Sequence, residues 1–309
     1  GINPFYSRID TYHMAACVLD EALRNAVVCG ADPERVALLD NFCWPDPVYD
    51  RKKTPDGKYK LAQLVRACRG LYDTAMAYET PFISGKDSMK NDYKVGDHKV
   101  SVLPTILVSA IGIVPDVSLC ATPDFKIGGD IIYLLGSTGR HLGESLFFRK
   151  FGGASCDVPV VDTARNMRVY RTYHCLLKKG LIESGHDLSE GGMATALCES
   201  CIAGLRGAEI HLDGLQPDGV TKGCSPLDDE EALFSESTGR ILVSVEASRE
   251  DEFCTACRDI PYARIGTVTD DKLLTVFGTA GKRLFSFDVE KLSDQYRDPL
   301  YRVLGMKRA

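Results

Sequence analysis

Across residues 9–30, the apolar side chains Met14, Cys17, Val18, Ala22, Ala26 and Val27 recur at helical spacing, and Gly30 supplies a stop. This predicts one long helix with a single buried stripe. A buried strand is expected over 35–39, a loop over 44–60, a second helix over 61–79 and a short strand over 81–84. Residues 99–114 give one long or two short strands, and 115–123 reads as a boundary. From 131 to 205 the order is strand, helix, helix, strand, helix. Strands follow at 207–212, 240–245, 263–268 and 272–277, with a helix over 249–258. Alternation of this kind restricts the chain to an α+β or α/β layer architecture, with helices covering a mixed sheet.

A length of 309 residues exceeds the usual single domain, so two are expected, 1–115 and 116–309. The formal charge of -6 provides no field for a polyanion, and no basic block is interleaved with aromatics. Nucleic acid is not an expected partner. The most apolar stretch, 100–115, is interrupted by Ser101, Pro104, Thr105 and Ser109 and is too short for a membrane helix. The start Gly1-Ile2-Asn3-Pro4 lacks a basic segment followed by an apolar run, so no secretory signal is read there, and its missing Met suggests a processed or excised chain. Twelve cysteines in a chain of this size are expected to be reduced thiols in a cytoplasm. Two CxxC pairs, Cys198/Cys201 and Cys254/Cys257, raise a four-thiolate zinc site, but both fall in predicted helices, where they read as small core residues.

Three segments could carry chemistry. Glu21 and Asn25 lie four apart on the first helix, so their oxygens share one face and suit a hard cation such as Mg²⁺; a solvated face with Glu21 paired to Arg24 is the alternative. HDLSEGG, 186–192, places Asp187 and Ser189 two apart in an extended segment that ends in glycines before a helix. Asp187 could bind a metal, and Ser189 with the helix-start N–H groups could hold phosphate. Equally, either side chain could merely cap the helix. GKDSMKN, 85–91, joins Gly85, which lets backbone approach a ligand, to Lys86, Asp87 and Ser88; a polar surface turn is the alternative, and the glycine spacing of a P-loop is absent. The glycines of 128–145 lack the dinucleotide-fold order, and no GxSxG elbow, HExxH helix or histidine cluster is present.

Taken in order, GINP with a helix ending EALRN, then ALLDNFCWP, GKDSMKN, PDVSLCATPDFKIGGD, HDLSEGG and LFSESTGRILV cover most of the chain. Together they resemble the second half of the synthetase region of the phosphoribosylformylglycinamidine synthase family. The resemblance implies the fold shared with aminoimidazole ribonucleotide synthetase: a partial N-terminal α+β domain that pairs with another copy, then a C-terminal α/β domain. It implies an ATP-dependent C–N ligation of purine biosynthesis, converting formylglycinamide ribonucleotide with glutamine-derived ammonia into formylglycinamidine ribonucleotide. It also implies Mg²⁺ and ATP or ADP as cofactors.

Carried over residue by residue, Glu21, Asn25 and Asp187 match Mg²⁺ ligands and Ser189 a nucleotide contact of an auxiliary site in the family's large members. Asp40 and Gly85 match ATP contacts of the main site in the small members, and Ser88 a substrate contact. Lys86 stands where the small members have a metal-binding asparagine; a charged lysine cannot coordinate, so a phosphate contact is expected instead. The first synthetase half with its catalytic histidine and the glutaminase domain or subunit are the expected partners. No catalytic residue is expected within this chain, which is expected to be inactive alone. A scaffold half that only binds a partner, and aminoimidazole ribonucleotide synthetase itself, are the other readings.

Overall fold

The structure, a computed structural model, describes residues 1–96, 98–215, 217 and 226–306. The first expected helix is α1 (Thr11–Val28), entered through a 3-10 turn at Pro4–Arg8 and capped by Asp10, which accepts from the N–H groups of Tyr12 and His13. Next come β1 (Val36–Cys43), α2 (Gly57–Tyr78), β2 (Phe82–Ser88), a hairpin of β3 (Asp92–Val95) and β4 (His98–Ser101), and β5 (Thr105–Gly112). β1 lies at the centre of a three-stranded sheet, parallel to β2 and antiparallel to β5, with α1 and α2 packed together over one face.

Two sequence readings are corrected here. The 35–39 strand continues to Cys43, so Asp40 lies within it rather than beyond its end. The 81–84 strand continues through Gly85-Lys86-Asp87-Ser88, so the polar segment is largely extended edge strand rather than a turn. The cause is backbone pairing. The ladder from Leu38↔Phe82 to Cys43↔Ser88 satisfies the main chain whatever the side chains, and at an edge they need no apolar alternation.

The remainder comprises β6 (Ile131–Leu135), α3 (Leu146–Phe151), α4 (Thr163–Lys178), β7 (Ser184–Asp187) and α5 (Gly192–Gly204), the expected order. Then follow β8 (Gly207–His211), α6 (Asp229–Phe234), β9 (Ile241–Val245), α7 (Glu250–Cys257), β10 (Tyr262–Thr269), β11 (Leu273–Phe277), β12 (Arg283–Asp288), α8 (Val289–Arg297) and α9 (Pro299–Val303). The seven-stranded sheet has the order β12-β11-β8-β10-β6-β9-β7 and is mixed, with β11 and β8 parallel and the other pairs antiparallel.

All five residues of β6 are buried, and their alternation builds two cores. Ile131, Tyr133 and Leu135 face a core shared with α1, α2, α4 and α7, which joins this sheet to the three-stranded one. Ile132 and Leu134 face a second core with α5, α6 and α8. The CxxC pairs are helical as expected, one in α5 and one in α7. Cys201 and Cys257 fall in different cores, on opposite faces of the sheet, so the four sulfurs do not meet at one ion. Burial pushes the Cys198 thiol up to about 11 and Cys257 up to about 12, away from the thiolate a metal requires.

Candidate functional site

HDLSEGG folds as a strand end followed by a helix start. β7 is the edge strand, antiparallel to β9, and it terminates at Asp187. Gly191 and Gly192 then adopt φ of 78° and 63°, where a side chain on Gly191 would overlap Thr195 and one on Gly192 the Ser235 carbonyl. Glycine is required by both backbone and space. Neither Asp187 nor Ser189 caps α5, whose N-cap is Gly191. The Gly191 N–H donates instead to Glu236 Oε1 at 2.9 Å, as does Leu146 N at 2.8 Å. The helix-cap alternative for these two residues is thereby set aside.

What Asp187 and Ser189 face is α1. Glu21, Asn25, Asp187 and Ser189 line one cleft of about 400 Å³, together with His186 and Glu199. All three expected cation ligands and the expected phosphate contact are therefore brought together. The Asn25 amide places one terminal atom 3.0 and 2.8 Å from Asp187 Oδ1 and Oδ2. If that atom is nitrogen, it donates to the carboxylate; if oxygen, three oxygens crowd together and call for a cation between them. Among the described residues no three His, Cys, Asp or Glu side chains form a metal-binding group, so a cation here depends on the Asn25 oxygen.

The charges around the cleft are strongly coupled. Burial would raise the Asp187 carboxyl, but the His186 hydrogen bond, the Arg24 charge and the Ser189 hydroxyl hold it at about 2. Burial would lower His186, yet Asp187 and Glu199 lift it to about 9. His186 Nε2 lies 2.9 Å from Glu199 Oε2, and Nδ1 lies 3.5 Å from Asp187 Oδ1. Glu21 is raised by burial against the pull of Arg24, and its Oε2 accepts from Ile2 N at 3.1 Å. Ser189 Oγ donates to Asp187 Oδ2 at 2.6 Å and accepts from Arg24 Nη2 at 3.2 Å. An ionised Asp187, an oxygen-bearing neighbour and a hydroxyl beside a helix start form a set suited to a hard cation carrying an anion.

The second group lies elsewhere. Asp40 and Gly85 are paired across β1 and β2, and a Cβ on Gly85 would overlap Asp40 Oδ1. Burial and neighbouring Asp87 push the Asp40 carboxyl up. Lys86 is exposed and has no hydrogen-bond or ion-pair partner among the described residues. Ser88 is tied into a local lock: its carbonyl accepts from Asn91 Nδ2 at 2.6 Å and from Trp44 N at 2.9 Å.

Sequence reasoning missed Arg24, His186, Glu199 and Glu236 as parts of the cleft's frame. Arg24 and Asp20 were visible as a second i,i+4 pair one residue behind Glu21 and Asn25; nothing local marked Glu199 or Glu236. The largest described cavity, about 560 Å³, lies between α5, α6 and β12 and is lined by Leu233, Phe234, Phe285 and Phe287. It is mostly apolar and contains none of the eight predicted site residues, so size alone does not mark the chemistry.

Two family descriptions match the chain: "AIR synthase related protein, N-terminal domain" over 2–114 and "AIR synthase related protein, C-terminal domain" over 128–279. The phosphoribosylformylglycinamidine synthase subunit PurL of Deinococcus radiodurans is 31% identical over 314 aligned positions, covering 98% of this chain and 39% of the relative. The PurL subunit of Thermococcus sibiricus is 32% identical over 303 positions, with 98% and 39% covered. The chain thus spans about two fifths of the curated relatives it matches. Among solved structures, T. maritima PurL complexed with FGAR superposes with a TM-score of 0.71 at 18% identity, covering 94% of this chain and 44% of that one. The hydrogenase maturation protein HypE of E. coli gives 0.63 at 17%, covering 89% and 79%. With both of its domain descriptions matched in order and PurL subunits as its relatives, the chain belongs to the AIR synthase related protein family.

Proposed function

We propose that this chain is the second half of the synthetase region of a PurL-type, ATP-dependent C–N ligase, organised as domains 1–115 and 116–309. In this reading it contributes a Mg²⁺-nucleotide site made by Glu21, Asn25, Asp187 and Ser189. The carrying observation is their convergence on one cleft from α1 and β7, elements far apart in sequence. The PurL relatives support the ligase reading, and solved T. maritima PurL complexes with FGAR and with ATP support the ligand classes.

Glu21, Asn25 and Asp187 would hold the cation by oxygen, the donor type Mg²⁺ prefers. Bound Mg²⁺ would neutralise phosphate oxygens of the nucleotide. Asp187, held at about 2, is ionised across the neutral range, and His186 beside it keeps its proton. Ser189 would exchange its bond to Asp187 for a phosphate oxygen. Asp40, Gly85 and Lys86 would contact the ATP of the main reaction and Ser88 the ribonucleotide substrate. Lys86 is suited to phosphate because its ammonium has no partner in the fold. The catalytic histidine and the ammonia supply would come from the other synthetase half and a glutaminase.

Calorimetry of the chain mixed with a first synthetase half should show Mg²⁺-dependent ADP binding that the double substitution Glu21→Ala, Asp187→Ala abolishes. Unchanged binding in that variant removes these residues from metal duty.

A partner-binding role has its own support. Ile83, Ile111 and Ile113 are 62%, 54% and 46% exposed on or beside the three-stranded sheet, at the face away from α1 and α2. That apolar surface suits pairing with a related domain. A strictly monomeric chain that fails to bind the first half in sedimentation would remove this role.

A further inference from the structure

Asp20, in the middle of α1, is fully buried, and its carboxylate collects donors from four elements. Oδ1 accepts from Tyr78 Oη of α2 at 2.5 Å, and from Tyr170 Oη and Asn166 Nδ2 of α4 at 2.7 and 3.0 Å. Oδ2 accepts from Arg24 Nη1 on its own helix and from Gly239 N, just before β9, at 3.3 Å. One carboxylate thereby ties the α1 and α2 pair to α4 and to the loop leading into β9.

Arg24 carries that tie onward. Its side chain is only 3% exposed. While Nη1 holds Asp20, Nη2 donates to the Leu188 carbonyl at 3.0 Å and to Ser189 Oγ at 3.2 Å. Nε lies 3.9 Å from Asp187 Oδ2. A planar guanidinium can grip two such groups at fixed separation, which a lysine ammonium cannot. Helical spacing does the rest. Asp20 and Arg24 form one i,i+4 pair facing the interior, and Glu21 and Asn25, each one residue later, form the pair facing the cleft. The two halves of the cleft, α1 and the segment after β7, therefore meet through Arg24.

We propose that Arg24 is a positioning residue for the cleft: anchored on Asp20, it sets the separation between Glu21 and Asn25 on α1 and Asp187 and Ser189 beyond β7. Divalent-cation affinity then depends on a residue that is not itself a ligand. The affinity part rests on the cation reading of the cleft given above; the positioning part does not.

Two readouts separate them, both on the whole chain: Mn²⁺ uptake followed by its paramagnetic resonance signal, and amide hydrogen exchange. Arg24→Gln is expected to lower Mn²⁺ affinity at least tenfold and to speed exchange of the 187–191 amides at least tenfold, with β6 and β9 still protected. Arg24→Lys, which restores charge but not the two-nitrogen grip, should fall between the two, and it carries the same measurements should Arg24→Gln not fold. Unchanged exchange at 187–191, or faster exchange with wild-type Mn²⁺ affinity, overturns the proposal. If the wild-type chain takes up no Mn²⁺, or Asp187→Asn takes up as much, the cation reading fails, and exchange alone then decides the role of Arg24.

Discussion

Asp187 and Asp40 were both singled out as ligand contacts, and both sit on strands of sheet margins, yet their surroundings push them in opposite directions. Asp187 is met by His186, Ser189 and Arg24 and is held at about 2. Asp40 is met by burial and by Asp87, which push it up, and no cation of the chain faces it among the described residues. The cleft is closed on itself by a buried network, whereas the β1/β2 group is half a site, with like charges together and a lysine left over. A finished charge network is its own scaffold; an unfinished one marks where another surface or an anion belongs.

The largest expected contrast comes from removing a carboxylate on each side. Asp20→Ala strands a buried guanidinium, two tyrosine hydroxyls and an asparagine amide, and should cost about 3–5 kcal/mol in urea unfolding. Asp40→Ala removes a half-buried, repelled charge and should change stability by less than about 1 kcal/mol. Equal losses would mean that the two groups are not built differently.

pH separates the regions next. Relative to the ordinary 6.5, His186 at about 9 contributes stability that is fully present below 6.5 and lost as pH rises through 9. Asp187, lowered from 3.8 to about 2, contributes stability present above 3.8 and lost as pH falls through 2. Because each shift reports partly on the same His186–Asp187 contact, a single loss of about 2–3 kcal/mol is expected at either extreme. Asp40, raised, acts with the opposite sign: protonating it on the acid side favours the folded form. Urea midpoints from pH 3 to 10 for the wild type, His186→Gln and Asp40→Asn would resolve these contributions.

Much of this was legible, for reasons that differ by region. The stripe of Met14, Val18 and Val27 announces α1, and a helix fixes which side chains share a face, so Glu21 and Asn25 could be paired on paper. The glycines of HDLSEGG likewise announce a backbone turn into α5. Arg24 was read only as a partner for Glu21, since its contacts to Asp20, Leu188 and Ser189 depend on packing across some 165 residues. Gly85 to Ser88 was read as a turn because an edge strand that pairs by backbone need not display a period of two. The hairpin of β3 and β4 is short and largely exposed, and carries little apolar signal for the same reason.

A smaller effect tests the close approach of the open group. Gly85→Ala places a methyl group against Asp40 Oδ1, and Asp40 must yield. A cost of about 1 kcal/mol is expected, with less where Asp40 is free to swing toward solvent. The double variant with Asp40→Ala should recover most of it, and a double-mutant cycle measures that recovery directly. Failure to recover would place the strain in the β1 and β2 backbones instead.

The smallest stability effect is expected at Lys86, and there its smallness is informative. The side chain is exposed, makes no ion pair among the described residues, and sits on an edge strand held by backbone bonds to β1. Lys86→Ala should therefore move the urea midpoint by no more than about 0.5 kcal/mol. If the group is half a nucleotide site, the same substitution should weaken ATP binding by the chain joined to its first synthetase half by about tenfold, the scale of one lost charge-assisted contact. Binding should also fall with added salt in the wild type more steeply than in the variant. Lost stability without lost binding would make Lys86 part of the scaffold and would leave the β1/β2 group without a cation for phosphate.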